Sequence, residues 1–173
     1  MASASASTNY VIGLGSNRPH GRYGRPEAVL RAAIEAMTAR GLVVRAVSRT
    51  LRTRALGPSA RDFANGAVLV ASNLSPPALL ALLKAIERAF GRGRGQRWGA
   101  RVLDLDILAW SGGRHETRTL VIPHAALAIR GFALGPAAEV APKWQHPRFH
   151  ATLRQLDRRL RKPRPVDRAS PTP

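Results

Sequence analysis

The chain has 173 residues, 45% of them hydrophobic, which suits one globular domain with a buried core and argues against global disorder. It contains no cysteine, so disulfides and thiolate-ligated zinc or iron–sulfur centres are excluded. No apolar run reaches the length of about 18 residues that a membrane-crossing helix needs.

Residues 1–8 are small and polar and are expected to be disordered. They lack the basic start and apolar run of a secretory signal, so the expected location is the cytoplasm. "NYVIGLGSN" is an apolar run ending in Gly-Ser-Asn and reads as a strand entering a turn. A loop, "RPHGRYGR", leads to "PEAVLRAAIEAMTARG", which carries helix signals: Pro26 and Glu27 at the start and Gly41 as the stop. Its Val29, Leu30, Ala33, Ile34 and Met37 fall on one face. "LVVRAVSRTLRT" alternates as a second strand, and "FANGAVLVAS" follows as a third. Ser75, Pro76 and Pro77 open a second helix whose Leu79, Leu80, Leu83, Ile86 and Phe90 form a stripe ending at Gly91. A loop rich in glycine and arginine precedes the strand "VLDLDILAW", a Gly-Gly turn and a short strand "TLVIP". A further helix is expected near 150–161, and the Pro-rich basic segment 163–173 reads as a loose tail. One domain therefore spans 9–162. The order predicts an α+β fold, a ferredoxin-like β-α-β-β-α-β antiparallel sheet with helices on one face and extra C-terminal strand and helix elements.

Twenty-eight Lys and Arg against ten Asp and Glu leave a net charge of +18, which attracts nucleic acid, anionic membrane or nucleotide phosphate. Lysine occurs only at Lys84, Lys143 and Lys162; the rest is arginine, whose planar fork suits phosphate, although a GC-rich genome gives the same bias. Against this background Asp104 and Asp106 stand at i and i+2 of one strand, and so on one face, roughly 7 Å apart at Cα. Leu103, Leu105, Ile107 and Ala109 make the opposite, apolar face. Two like charges so placed repel, and magnesium, which takes carboxylate oxygens, waters and substrate phosphates, answers that demand. A strand that merely faces solvent is the plainer alternative. Arg92, Arg94, Arg97 and Arg101 lie just upstream and favour a metal–polyphosphate complex. A nucleic-acid module on the same fold would place aromatic residues where this strand has aspartates.

"RWGARVLDLDIL" closely resembles the signature of the 6-hydroxymethyl-7,8-dihydropterin pyrophosphokinase family. "VIGLGSN", "RTRALGP" with "DFANGAV", and "LVIPHAALAIRGFALGPAAEVAP" agree in the same order, so the resemblance runs from about Tyr10 to Pro142. It implies two magnesium ions (Mg2+), ATP, and pyrophosphate transfer to the hydroxymethyl group of the pterin in folate biosynthesis, with release of AMP. The expected protein is a monomer acting on these small molecules, with no specific nucleic acid and no membrane partner. Carried onto this sequence, Asp104 and Asp106 match the metal-bridging carboxylates, with Arg92 and Arg101 beside them as catalytic groups. Glu87, Arg94, Arg97, Trp98, Ile107, Val121, His124 and Arg130 match ATP-binding positions. Asn17, Thr53, Leu56, Phe63, Asn65 and Phe132 match pterin-binding positions, the two phenylalanines as a stacking pair and Asn65 on the polar edge. The chain departs from the family pattern at Arg54 and Ala100, both usually proline, and at Thr119 and Ala125.

Overall fold

The computed structural model describes residues 7–53, 62–91 and 102–162. The elements run β1 (Thr8–Ser16), α1 (Pro26–Thr38), β2 (Val43–Val47), β3 (Leu51–Thr53), β4 (Phe63–Ser72), α2 (Pro76–Ala89) and β5 (Asp104–Trp110). They continue with β6 (His115–Glu116), β7 (Val121–Ile122), α3 (Gly131–Val140), β8 (Gln145–His146), β9 (Ala151–Thr152) and α4 (Leu153–Arg161). The main sheet has the order β2-β4-β1-β5, with β3 also on β4, and every pairing is antiparallel. The ferredoxin-like pattern is thus present.

The expected second strand is broken in two. β2 pairs with the far half of β4, β3 with its first residues, and Ser48 fills the gap. Its N–H donates to the Ala67 carbonyl at 2.9 Å, and its hydroxyl accepts the Ala67 N–H at 2.9 Å. The start of the chain also differs from expectation. Thr8, placed in the disordered segment by composition, is the first residue of β1 and pairs with Ser72.

Helices α1 and α2 open with proline in their first turns, where a missing N–H costs nothing. Ser75 stands at the N-cap of α2, but its side chain makes no capping bond. Gly41 and Gly91, with φ of 87° and 85°, end the two helices in the left-handed region that glycine enters freely. Val29, Leu30, Ala33 and Met37 of α1 and Leu79, Leu83 and Ile86 of α2 bury themselves on Tyr10, Ile12, Leu14, Val68, Leu105 and Ile107 of the sheet. Each buried Val, Leu, Ile or Met side chain among them contributes about 1.5–3 kcal/mol on leaving water.

The other face of the sheet is partly covered by α3 and α4, whose Leu134, Ala137, Leu153 and Leu156 pack with Val11, Ala67, Leu108 and Ala109. Ala109 was expected beside Ile107 on the α1/α2 face. An irregularity between Val11 and Ile12 of the β1–β5 register, Ile12 facing Ile107 but Val11 facing Ala109, leaves Leu108 as an extra residue. Such a bulge breaks the two-residue alternation, and Leu108 and Ala109 both join the second core. Among the described residues, no helix is long and apolar enough to cross a membrane.

Candidate active site

β1 is the central strand of the site, and its glycines decide where space is left. Gly15 faces Asn65 on β4 and Asp104 on β5, and Gly13 faces Asp106. A Cβ on Gly15 would sit 3.6 Å from Asn65 Oδ1 and 4.0 Å from Asp104 Cβ, so the bare glycine forms a floor between an amide and a carboxylate. A Cβ on Gly13 would come within 3.1 Å of the Leu108 side chain, which leans over that residue. Alternation therefore collects Asn65, Asp104 and Asp106 on the face opposite α1 and α2. The α3/α4 core on that face includes Leu108 and Ala67, and Asp104 and Asp106 keep partial exposure beside it. Asn65 is 7% exposed, and its Nδ2 donates to Thr53 Oγ1 at 2.9 Å, which fixes the amide and turns Oδ1 towards Gly15.

The carboxylates lie on an edge strand, and three of its backbone groups find partners beyond the sheet. Glu87, wholly buried on α2, accepts the Leu105 N–H at 2.7 Å. Lys84 donates to the Leu105 carbonyl at 3.1 Å and to Glu87 Oε1 at 2.7 Å. The His124 N–H, from the segment after β7, donates to the Leu108 carbonyl at 3.0 Å. His124 Nδ1 accepts the Ala126 N–H at 3.1 Å, so the ring's donor is Nε2.

These groups surround Asp106. Burial, then the nearby Asp104, holds its carboxyl above the usual carboxylate range; Lys84 and His124 pull the other way, and Glu87 adds to the rise. Two partly buried carboxylates so close together therefore oppose each other. Among the described residues no cluster of three or more His, Asp or Glu side chains could enclose a metal. Magnesium needs no such cage, since it keeps waters and shares itself with phosphates, so the pair as built fits it.

The other expected residues are more scattered. Phe63 opens β4 opposite Thr53 and is half-buried, and Asn17 is half-buried one residue beyond β1. Arg130 lies over the ring of Phe132, 5.7 Å from its centroid, at the start of α3, where Phe132 is 39% exposed. Val121 is exposed on β7. Ile107, expected in an adenine slot, is only 2% exposed and packs in the α1/α2 core. Leu56, Arg92, Arg94, Arg97, Trp98 and Arg101 lie outside the described residues, as do Arg54 and Ala100. Sequence reasoning missed Lys84. The available signal was a lysine three residues before a glutamate on a helix, in a chain whose cations are almost all arginine.

Comparison with known proteins addresses the whole pattern. The chain is 42% identical over 146 residues to the 2-amino-4-hydroxy-6-hydroxymethyldihydropteridine pyrophosphokinase of Synechocystis sp., spanning 84% of this chain and 73% of that protein. It is 41% identical over 137 residues to the protein of the same name from Methylorubrum extorquens, spanning 78% and 84%. A crystal structure of HPPK-DHPS in complex with substrates shares the fold with a TM-score of 0.65 at 12% identity, over 88% of this chain and 45% of that one. A Plasmodium falciparum HPPK-DHPS structure with pteroate gives 0.66 at 13%, over 92% and 43%. The chain thus spans less than half the length of those solved chains. A family model for 7,8-dihydro-6-hydroxymethylpterin-pyrophosphokinase matches residues 11–142, and with the two relatives it shows that the chain belongs to that family.

Proposed function

We propose that this chain transfers the pyrophosphoryl group of ATP to the hydroxymethyl oxygen of 6-hydroxymethyl-7,8-dihydropterin in folate biosynthesis. The substrate oxygen bonds to the β-phosphorus, the bond from that phosphorus to the α,β-bridging oxygen breaks, AMP leaves, and the hydroxyl proton passes to solvent. The observation that carries this reading is the row Asn65–Gly15–Asp104, with Asp106 two residues on: an amide, a bare floor and paired carboxylates on one face.

Asn65, held by Thr53, would bond the polar edge of the pterin. Phe63 and Phe132 supply stacking faces, and Asn17 and Leu56 complete the pterin side. Asp104 and Asp106 would hold Mg2+, as two ions, on the triphosphate. When bound, the metal neutralises phosphate charge as it shifts between oxygens. Arg92, Arg94, Arg97 and Arg101 add guanidinium groups to that charge, with Trp98 beside them, while His124 Nε2 and Arg130 offer further donors and Val121 an apolar contact for the nucleotide. In-line displacement asks for alignment and charge neutralisation more than for a dedicated base. We read the protein as a monomeric cytoplasmic enzyme.

Incubation with ATP, Mg2+ and the hydroxymethyl pterin, followed by chromatography, tests this reading. AMP should form only when the pterin is present and should cease with a chelator. AMP formation that ignores the pterin would overturn it.

A further inference from the structure

Leu105 lies between the two carboxylates, and its backbone is gripped from outside the sheet. Among the described strands β5 lies at the edge beyond β1, and the N–H and carbonyl of Leu105 point outwards to α2. Glu87 Oε1 accepts the N–H at 2.7 Å, Lys84 Nζ donates to the carbonyl at 3.1 Å, and Lys84 Nζ also donates to Glu87 Oε1 at 2.7 Å. The peptide on each side of Leu105 is thereby pinned, which fixes the backbone at both Asp104 and Asp106. From the inner side, Gly15 and Gly13 of β1 hold the same two residues. A wholly buried carboxylate is strongly destabilising unless paired and hydrogen-bonded, and an apolar side chain at 87 would fill the same space without that cost. It would also leave the Leu105 N–H unmatched under α2.

We propose that Lys84 and Glu87 are positioning residues for the reaction: they clamp the strand so that both carboxylates can engage one metal–triphosphate complex. The inference rests on the function proposed above. It assigns Glu87 to the backbone of β5, where the sequence pattern pointed to a nucleotide contact.

Three variants test it: Glu87→Ala, Glu87→Gln, whose amide oxygen can still accept the Leu105 N–H, and Lys84→Met. Hydrogen exchange at the Leu105 amide reads the clamp directly, and Mn2+ titration in the presence of a non-hydrolysable ATP analogue reads its consequence. Glu87→Ala should exchange faster at Leu105. Glu87→Ala and Lys84→Met should bind Mn2+ about tenfold or more weakly, the range seen when groups that orient metal ligands are removed. Their kcat should fall while KM for the pterin holds, and Glu87→Gln should recover most of both losses. If Glu87→Ala does not fold, Lys84→Met carries the test alone. Wild-type Mn2+ affinity and kcat in Lys84→Met would overturn the clamp, even with wild-type protein forming AMP normally. Wild-type protein that makes no AMP would overturn the proposed function, and the clamp's purpose with it.

Discussion

Replacing Asp106 with asparagine isolates what the paired carboxylates cost the fold. Carboxylates at i and i+2 of a strand stand roughly 7 Å apart at Cα. At an effective dielectric near 20, their repulsion is about 2 kcal/mol. The variant also gives up the attraction of Lys84 and His124, but burial and Asp104 outweigh these, since the Asp106 carboxyl sits above its usual range. The expected net gain is about 1 kcal/mol, or about 2–4 °C in melting temperature for a chain of this size. The pH dependence has a definite sign. A carboxyl with a raised folded pKa binds more protons folded than unfolded between its ordinary and raised values, so stability falls as pH climbs through that window. Asp106→Asn lacks that fall: the two proteins should melt alike at acidic pH and separate towards neutrality. Melts followed by circular dichroism across that range, without divalent cation, measure it. A variant that melts at or below wild type at neutral pH would refute the reasoning.

Gly15→Val tests the floor of the site. The strand accepts valine and stability should change by no more than about 1 kcal/mol, yet KM for the pterin should rise at least tenfold as the space beside Asn65 Oδ1 fills. Gly13→Ala should do the reverse: its Cβ would press the Leu108 side chain at 3.1 Å, costing about 1 kcal/mol in a denaturant titration with KM little changed. Asn65→Ala removes a hydrogen bond worth about 1–3 kcal/mol and should raise the pterin KM about tenfold to a hundredfold, leaving KM for ATP in place. Thr152→Ala breaks the reciprocal capping pair with Gln155, 3.2 and 2.9 Å, that starts α4, and should cost about 1 kcal/mol without touching turnover.

Much of this architecture is legible in the sequence because periodicity and punctuation agree there. α1, β4 and α2 fall where Pro26, Gly41, Pro76 and Gly91 mark them. What escaped was written in tertiary contacts. α3 carries Gly131, Gly135 and Pro136 and is apolar nearly all round, since it lies between the sheet and α4, so no amphipathic stripe announces it. The β5 bulge moved Ala109 to the other core by inserting one residue in the pairing with β1, and no alternation rule anticipates that. The strand alternation did place Asp104 and Asp106 together on the face away from the helices. It could not show that Gly15 leaves the floor open, nor that Glu87 and Lys84 reach across to the strand carrying them.

The most direct test of the account asks which phosphorus is attacked. Phosphorus NMR of a reaction containing ATP, Mg2+, the hydroxymethyl pterin and wild-type protein should show AMP and a pterin diphosphate appearing in equal amounts, and neither with Asp104→Ala. ADP with a pterin monophosphate, or full turnover in Asp104→Ala, would contradict it.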